Sequence, residues 1–196
     1  MKDRIVIGLV ALLISVSTVV LIVENIPEDS PGHVDTVNLD VGLVRTSLEY
    51  CNLDSDGELT VKKDLTAVDL SKSDKNVFGL DSPEVRIVPG SYFTADIQIV
   101  NRGSADFTYS IIITTSKQTT PLHEQLAVSV TNAAGHTSSA WLSELSDGTP
   151  LLVGNMSADM DIYSFTVNVS FIGDEENNSA MGEHAEFDLL VSAVAE

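Results

Sequence analysis

Cysteine and basic residues are scarce in this chain of 196 residues; the first scarcity excludes internal disulfides and the second argues against anionic binding partners. Cys51 is the single cysteine, so no intramolecular disulfide can form, and the thiol is either buried or paired with another chain. Ten basic residues against 29 acidic ones give a formal net charge of −19. This charge opposes binding to nucleic acid and to anionic membrane surfaces, and it favours solubility, in particular in a salty medium.

Motifs that carry catalysis are also missing. The four histidines (His33, His123, His136 and His184) are spread without the spacing of metal ligands. His123 and Glu124 begin like the zinc-protease motif His-Glu-x-x-His, but position 127 is alanine. There is no Gly-x-Ser-x-Gly elbow and no glycine-rich phosphate loop. The sequence therefore predicts a protein that is not an enzyme and holds no cofactor.

The N-terminus carries an export signal of one of two kinds. Lys2 and Arg4 precede an uncharged apolar run over residues 5–23, which would cover roughly 28 Å as a helix. It is either a removed signal peptide or a retained membrane anchor, and no small-x-small cleavage site precedes Glu24. Basic residues before the run and acidic ones after it place the remainder outside the cytoplasm, secreted or at the cell surface, with membrane contact only through residues 5–23. Residues 24–36, acidic and containing proline, are predicted to be a tether, and residues 37–196 a single domain.

Strict alternation of apolar and polar residues is the main structural signal of that domain. In residues 163–171 every odd position is apolar and every even one is small or polar, which predicts a strand with one buried face. Residues 93–99 and 107–113 alternate in the same way around a glycine-containing turn, which predicts a hairpin. Shorter runs follow at 126–130, 151–153 and 185–194, and residues 141–145 are either a helical turn or a strand. The sequence thus predicts an all-β, jelly-roll-like antiparallel β-sandwich of about nine or ten strands.

One stretch resembles the start of a calcium-binding loop. Asn52, Asp54 and Asp56 alternate and Gly57 follows, as in the first half of an EF-hand loop. The position that should supply a bidentate glutamate is Lys63. The alternative is an Asp-Gly hairpin turn between two strands, and the sequence favours this turn.

Three Asn-x-Ser sequons are candidates for glycosylation: Asn155, Asn168 and Asn177. Asn155 and Asn177 are predicted to lie at turns. Asn168 and its partner Ser170 are predicted to lie on the wet face of the strand over residues 163–171. All three placements fit an exposed surface.

Read in order, these features resemble the TasA/camelysin family of secreted biofilm-matrix fibre subunits. The likeness begins with an N-terminal export segment and then covers residues 52–196. Within these it consists of the stretch 52–59, Val88-Pro-Gly90 before a strand, the run 96–103, the Trp141 segment, Gly154 before the alternating strand, and the stretch 177–182 before the closing strand. The resemblance implies a jelly-roll sandwich whose members assemble into extracellular fibres, in some cases through a donated N-terminal strand. The aromatic-rich segment and the cleavage site usual after the family's signal peptide are missing here.

The sequence and the resemblance together predict a secreted or cell-surface structural protein that polymerises with itself, with other matrix proteins as possible partners. The candidate donor strand lies within residues 33–46 and includes Val37, Leu39, Val41 and Leu43, which alternate loosely. The alternatives are a membrane-anchored adhesin that binds through its acidic loops and, with less support, a camelysin-like metalloprotease.

Overall fold

The computed structural model describes residues 41–72, 77–78, 87–115, 119–158, 162–172 and 178–195. These residues form ten strands and three single-turn 3-10 helices, and no α-helix. The predicted all-β antiparallel sandwich and its strand number are confirmed. The strands are β1 Val41–Leu53, β2 Leu59–Asp64, β3 Val68–Asp69, β4 Tyr92–Asn101, β5 Phe107–Thr115, β6 Leu126–Asn132, β7 Thr137–Trp141, β8 Pro150–Met156, β9 Ile162–Phe171 and β10 Phe187–Ala195.

The large sheet has the order β2-β1-β4-β9-β6-β7, and β3 pairs with β1 beyond the end of β2. The strand predicted from residues 163–171 is β9, which lies in the interior between β4 and β6. Its residues Phe165, Val167 and Val169 are buried, whereas Ser164, Thr166 and Asn168 between them are only half-buried. The alternation in the sequence therefore assigned the two faces correctly, because side chains on a strand point to opposite sides.

The small sheet has the order β10-β5-β8 and packs its apolar face against the large one. From β4 onward the chain crosses between the two sheets at every connection except the β6–β7 hairpin. The orders β4-β9-β6-β7 and β10-β5-β8 are those of a jelly roll with seven of its eight strands. In a complete jelly roll the eighth strand would lie beside β10, and no strand occupies that place among the described residues.

The predicted hairpin over residues 93–113 is wrong, because β4 and β5 lie in different sheets. β4 pairs with β1 and β9, and β5 pairs with β10 and β8. Asn101 fixes the crossing: its Nδ2 donates to the carbonyls of Ala105 (3.1 Å) and Ser157 (3.3 Å), and its Oδ1 accepts from the Gly103 N–H (2.9 Å). The apolar sides of both strands face one core from opposite sides, a layout that alternation alone does not distinguish from a hairpin.

The first strand corrects the prediction for Val41 and Leu43. Both are buried in β1, opposite Asn101 and Ile99 of β4, so they belong to the sheet of their own chain. β1 is an interior strand of the large sheet, between β2 and β4. Its alternation slips because a register shift lies between Arg45 and Ser47. Val37 and Leu39 lie outside the described residues.

Aromatic rings connect the two layers. The buried Phe78 contacts Phe93 of the large sheet (centroids 6.1 Å apart) and Phe187 of the small sheet (6.3 Å). Tyr109 of β5 and Tyr163 of β9 pack with their ring centroids 4.7 Å apart. Aromatic pairs at such distances add about 0.5–1.5 kcal/mol each beyond the area they bury, so these rings help to hold the sheets together.

The structure also decides two local predictions near β7 and β8. Trp141 is the last residue of β7, and a 3-10 helix over Leu142–Glu144 follows at once, so the segment contains both alternatives. Gly154 and Asn155 lie within β8, so Asn155 is not at the predicted turn. The glycine lies opposite Tyr109 of β5, whose ring covers it. β7 itself was not predicted.

Candidate functional site

The stretch that resembles a calcium loop is a hairpin turn. β1 and β2 pair antiparallel with Leu53 opposite Leu59, and Gly57 has a φ of +85°, a conformation that glycine adopts readily. The Asp54 carboxylate accepts hydrogen bonds from the N–H groups of Asp56 and Glu58, both at 2.9 Å. These bonds, led by the one from Glu58, lower the pKa of Asp54. The favoured turn is therefore confirmed.

Asn52 and Asp56 do not complete an ion site around that carboxylate. Asn52 is buried in β1 opposite Thr60, two residues before the turn begins at Asp54. Asp56 supplies its N–H to Asp54. Among the described residues, no three His, Cys, Asp or Glu side chains lie close enough to hold a metal ion.

The sequons occupy different environments. Asn155 is exposed on β8, where its Oδ1 accepts a hydrogen bond from the Thr108 hydroxyl (3.1 Å). Asn168 lies in the middle of the large sheet, and its Nδ2 donates to Thr94 Oγ1 at 2.6 Å. Its Oδ1 accepts from Ser170 Oγ at 2.6 Å, so both ends of this amide are engaged. Asn155 is therefore the more accessible of the two; Asn177 lies outside the described residues.

The outer face of the large sheet is covered by hydroxyl groups centred on Asp96. Its Oδ1 accepts from Thr166 (2.7 Å) and its Oδ2 from Ser47 (2.6 Å), which come from the strands on either side. A further pair, Thr131 and Thr137, joins β6 to β7 with 2.9 Å between the hydroxyl oxygens. Cross-strand polar pairs of this kind stabilise a sheet and fix its register.

A shallow cavity of about 270 Å³ opens beside Asp96. It is lined by Thr46, Asp96, Thr131, Asn132, Ala133, Ser164, Phe165 and Thr166. Its hydroxyl and amide groups could bind a polar ligand through hydrogen bonds, with Asp96 as the single charged acceptor. The sequence did not predict this cavity, because its residues come from β1, β4, β9 and β6 with the turn that follows β6, and they meet only in the folded sheet.

Buried polar groups gather at one end of the sandwich. His123 is 1% exposed, and its Nδ1 accepts a hydrogen bond from the Thr120 N–H (2.9 Å). Burial lowers the pKa of His123, and the backbone of the nearby Glu186 offsets part of this lowering. Gln125 is also buried and donates to Ser179 Oγ (3.2 Å). Together with the bond from Thr120 Oγ1 to the His184 carbonyl (3.0 Å), this bond ties residues 119–125 to the segments around residues 179 and 184.

The structure bears on the membrane prediction only in part. Within the described residues no helix is long and apolar enough to cross a membrane. The predicted signal or anchor over residues 5–23 and the tether over residues 24–36 lie outside them.

No protein-family model, no curated protein and no solved structure matches this chain.

Proposed function

We propose that the protein is a structural subunit that assembles into fibres outside the cell. The observation that supports it best is the small sheet, in which no strand flanks β10 on the side away from β5 among the described residues. A strand edge that no other strand covers is a site for strand addition from another chain. The resemblance to the TasA/camelysin family supports the same function.

The donor in this proposal is the segment before β1. Val41 to Arg45 already pair with β4 of their own chain, so donation is restricted to the residues that precede them. Residues 33–40 carry Val37 and Leu39 two positions apart, as a strand with one apolar face requires. The contact runs from one copy to the next without closing, which produces a filament.

Charge controls the assembly. At −19 each subunit repels the next, and salt shortens the range of that repulsion to about 8 Å at physiological ionic strength. We therefore expect filaments to grow as salt is added.

The test compares residues 24–196 with residues 41–196, since all ten strands of the described residues lie between residues 41 and 195. In negative-stain microscopy the longer form should give filaments at high salt and the shorter one none. A peptide of residues 33–40 should raise the melting temperature of the shorter form, because it binds only the folded state. Filaments of equal width from both forms would refute donation by this segment.

A surface-binding module is the second candidate, and the cavity beside Asp96 favours it. Its hydroxyl-lined wall offers hydrogen bonds to a polyhydroxylated ligand such as a polysaccharide. If residues 24–196 remain monomeric at high salt, and Asp96→Ala abolishes retention on immobilised polysaccharide, this function replaces the first.

A further inference from the structure

The strand edges of the sandwich are not equally protected against pairing with another chain. The edge of β2 carries Lys62 and Lys63, and lysine on an edge strand discourages pairing. β8 begins with Pro150, and its register with β5 shifts between Ile111 and Ile112. β7, the opposite edge of the large sheet, reads Thr-Ser-Ser-Ala-Trp and has no charge, proline, glycine or bulge.

The main-chain groups of β7 that face outward can be identified from two hydrogen bonds. In the turn before β7 the Asn132 N–H donates to the His136 carbonyl (2.9 Å), which makes this a hydrogen-bonded pair. Bonding alternates along an antiparallel ladder, so Thr137, Ser139 and Trp141 direct their N–H and C=O groups away from β6. The Trp141 N–H confirms this direction, since it donates to Oε2 of Glu144 (3.2 Å) and not to β6.

A second copy of β7 is the partner that fits this edge. In antiparallel pairing centred on Ser139, each Thr137 opposes the Trp141 of the other copy and the two Ser139 residues oppose each other. All outward groups then meet in three hydrogen-bonded pairs. Pairing with β2 fits less well, because it places Glu144 beside the acidic turn over residues 54–58. In the self-pairing, Glu144 lies near the other copy's Gly135 and His136, which carry no negative charge.

Trp141 gives this contact an apolar component. Trp141 is 40% exposed and is one of the large apolar residues that the described part of the chain leaves at the surface. Opposite Thr137 of the second copy, the indole would cover the threonine methyl group and lose much of its contact with water. The Trp141 N–H would pass from Glu144 to a main-chain carbonyl of the second copy.

We propose that two copies pair through the β7 edges and join their large sheets into one continuous antiparallel sheet. The contact is two-fold symmetric and closes on itself. It therefore differs from the head-to-tail contact of the proposed fibre and would link two filaments side by side. It does not depend on residues 24–40.

The test uses residues 41–196, which lack the proposed donor, in analytical ultracentrifugation at about 1 M salt, where the Debye length is about 3 Å. The expected species is a dimer. Ser139→Pro removes only an outward N–H and leaves the bonds between β6 and β7, and Ser139→Lys places a charge on the edge. Each should weaken the dimer about tenfold or more.

Ser129→Lys is the matched control for Ser139→Lys. Ser129 lies opposite Ser139 on the neighbouring strand β6, on the same outer face but away from the edge, so the dimer should persist. In a Cys51→Ser background, Ser139→Cys should form an intermolecular disulfide, because hydrogen-bonded pairs place Cα atoms about 5.5 Å apart. Ser129→Cys should not.

The outcomes separate this proposal from the fibre proposal. A dimer of residues 41–196 that Ser139→Pro dissociates supports the β7 contact, whether or not residues 24–196 form filaments. A monomer at high salt, or a dimer that survives both Ser139 substitutions, overturns it. Filaments of residues 24–196 that form but never associate side by side would also count against the β7 contact.

Discussion

Gly154 is a glycine that the packing of one tyrosine requires. It lies opposite Tyr109 in the pairing of β5 with β8, and the phenol ring lies across its Cα. A Cβ at position 154 would come within 2.6 Å of Tyr109 Cζ and 3.0 Å of Cε1. Carbon atoms in contact normally lie about 3.5–4.0 Å apart, so the ring would have to move by about 1 Å.

The ring has little room for that movement. Tyr109 is 2% exposed and packs against Tyr163, with 4.7 Å between the ring centroids. Overpacking of a filled core costs about 1–3 kcal/mol, so we expect Gly154→Ala to lower the free energy of unfolding by that amount. For a domain of this size each kcal/mol corresponds to roughly 2–4 °C in melting temperature.

A double-mutant cycle in urea separates this clash from a general intolerance of β8. Tyr109→Phe removes the hydroxyl, the group closest to the added methyl, so it should relieve part of the cost of Gly154→Ala. The two substitutions should then couple by about 0.5–3 kcal/mol. Additive free energies, or an unchanged urea midpoint for Gly154→Ala, would refute the reasoning.

Three further predictions concern the faces of β9, the turn at Asp54 and the buried histidine. Val167→Asp should lower stability in urea by about 3–5 kcal/mol because it buries an unpaired charge, whereas Asn168→Asp should cost about 1 kcal/mol or less, since neighbouring hydroxyls can donate to the new carboxylate. Asp54→Ala should lower the melting temperature and Asp54→Asn should not, because asparagine keeps the oxygen that accepts from Asp56 and Glu58. Millimolar calcium should leave the melting temperature of the unsubstituted protein and of both variants unchanged. A calcium-dependent rise in the unsubstituted protein that Asp54→Ala abolishes would contradict the assignment of this stretch as a turn without an ion. The His123 pKa is lowered in the fold, so as pH falls below about 6.5 the unfolded chain takes up a proton that the folded one does not, and stability should fall until the lower pKa is passed. His123→Asn, which can still accept from the Thr120 N–H, should not show this loss of stability when melting temperature is measured against pH. Equal pH profiles of the variant and the unsubstituted protein would show that His123 is not the group responsible.

The sequence alone predicted the features that depend on residues close to one another along the chain. The two faces of β9 follow from alternation, and the turn at Asp54 follows from a carboxylate and a glycine three residues apart, so both were predicted correctly. β7 was missed because both of its faces are at least partly exposed, which leaves no apolar alternation in Thr-Ser-Ser-Ala-Trp.

The pairing of strands could not be predicted in the same way. Alternation shows which face of a strand is buried but not which strand lies beside it, and β4 and β5 were therefore assigned to one hairpin. In β1 the register shift after Arg45 hid the pattern. Arg45 is buried there, donates to the Val77 carbonyl (3.1 Å) and pairs with Asp64 (3.3 Å), an arrangement with no local signature. The polar cavity beside Asp96 was hidden for the same reason, since four strands distant in sequence contribute to it.

The crossing of the chain between the two sheets also determines when the domain can fold. β4 has its second partner in β9, and β5 has both of its partners, β8 and β10, later in the chain. The large sheet is not complete until β9, Ile162–Phe171, is available, and the small sheet is not complete until the last strand, Phe187–Ala195. Such non-local pairing is slow, because long loops must close before the contacts that stabilise them exist. A growing chain would therefore stay unfolded until its synthesis is nearly finished, with the uncharged, strongly β-forming strand β5 in need of protection from other chains during that time.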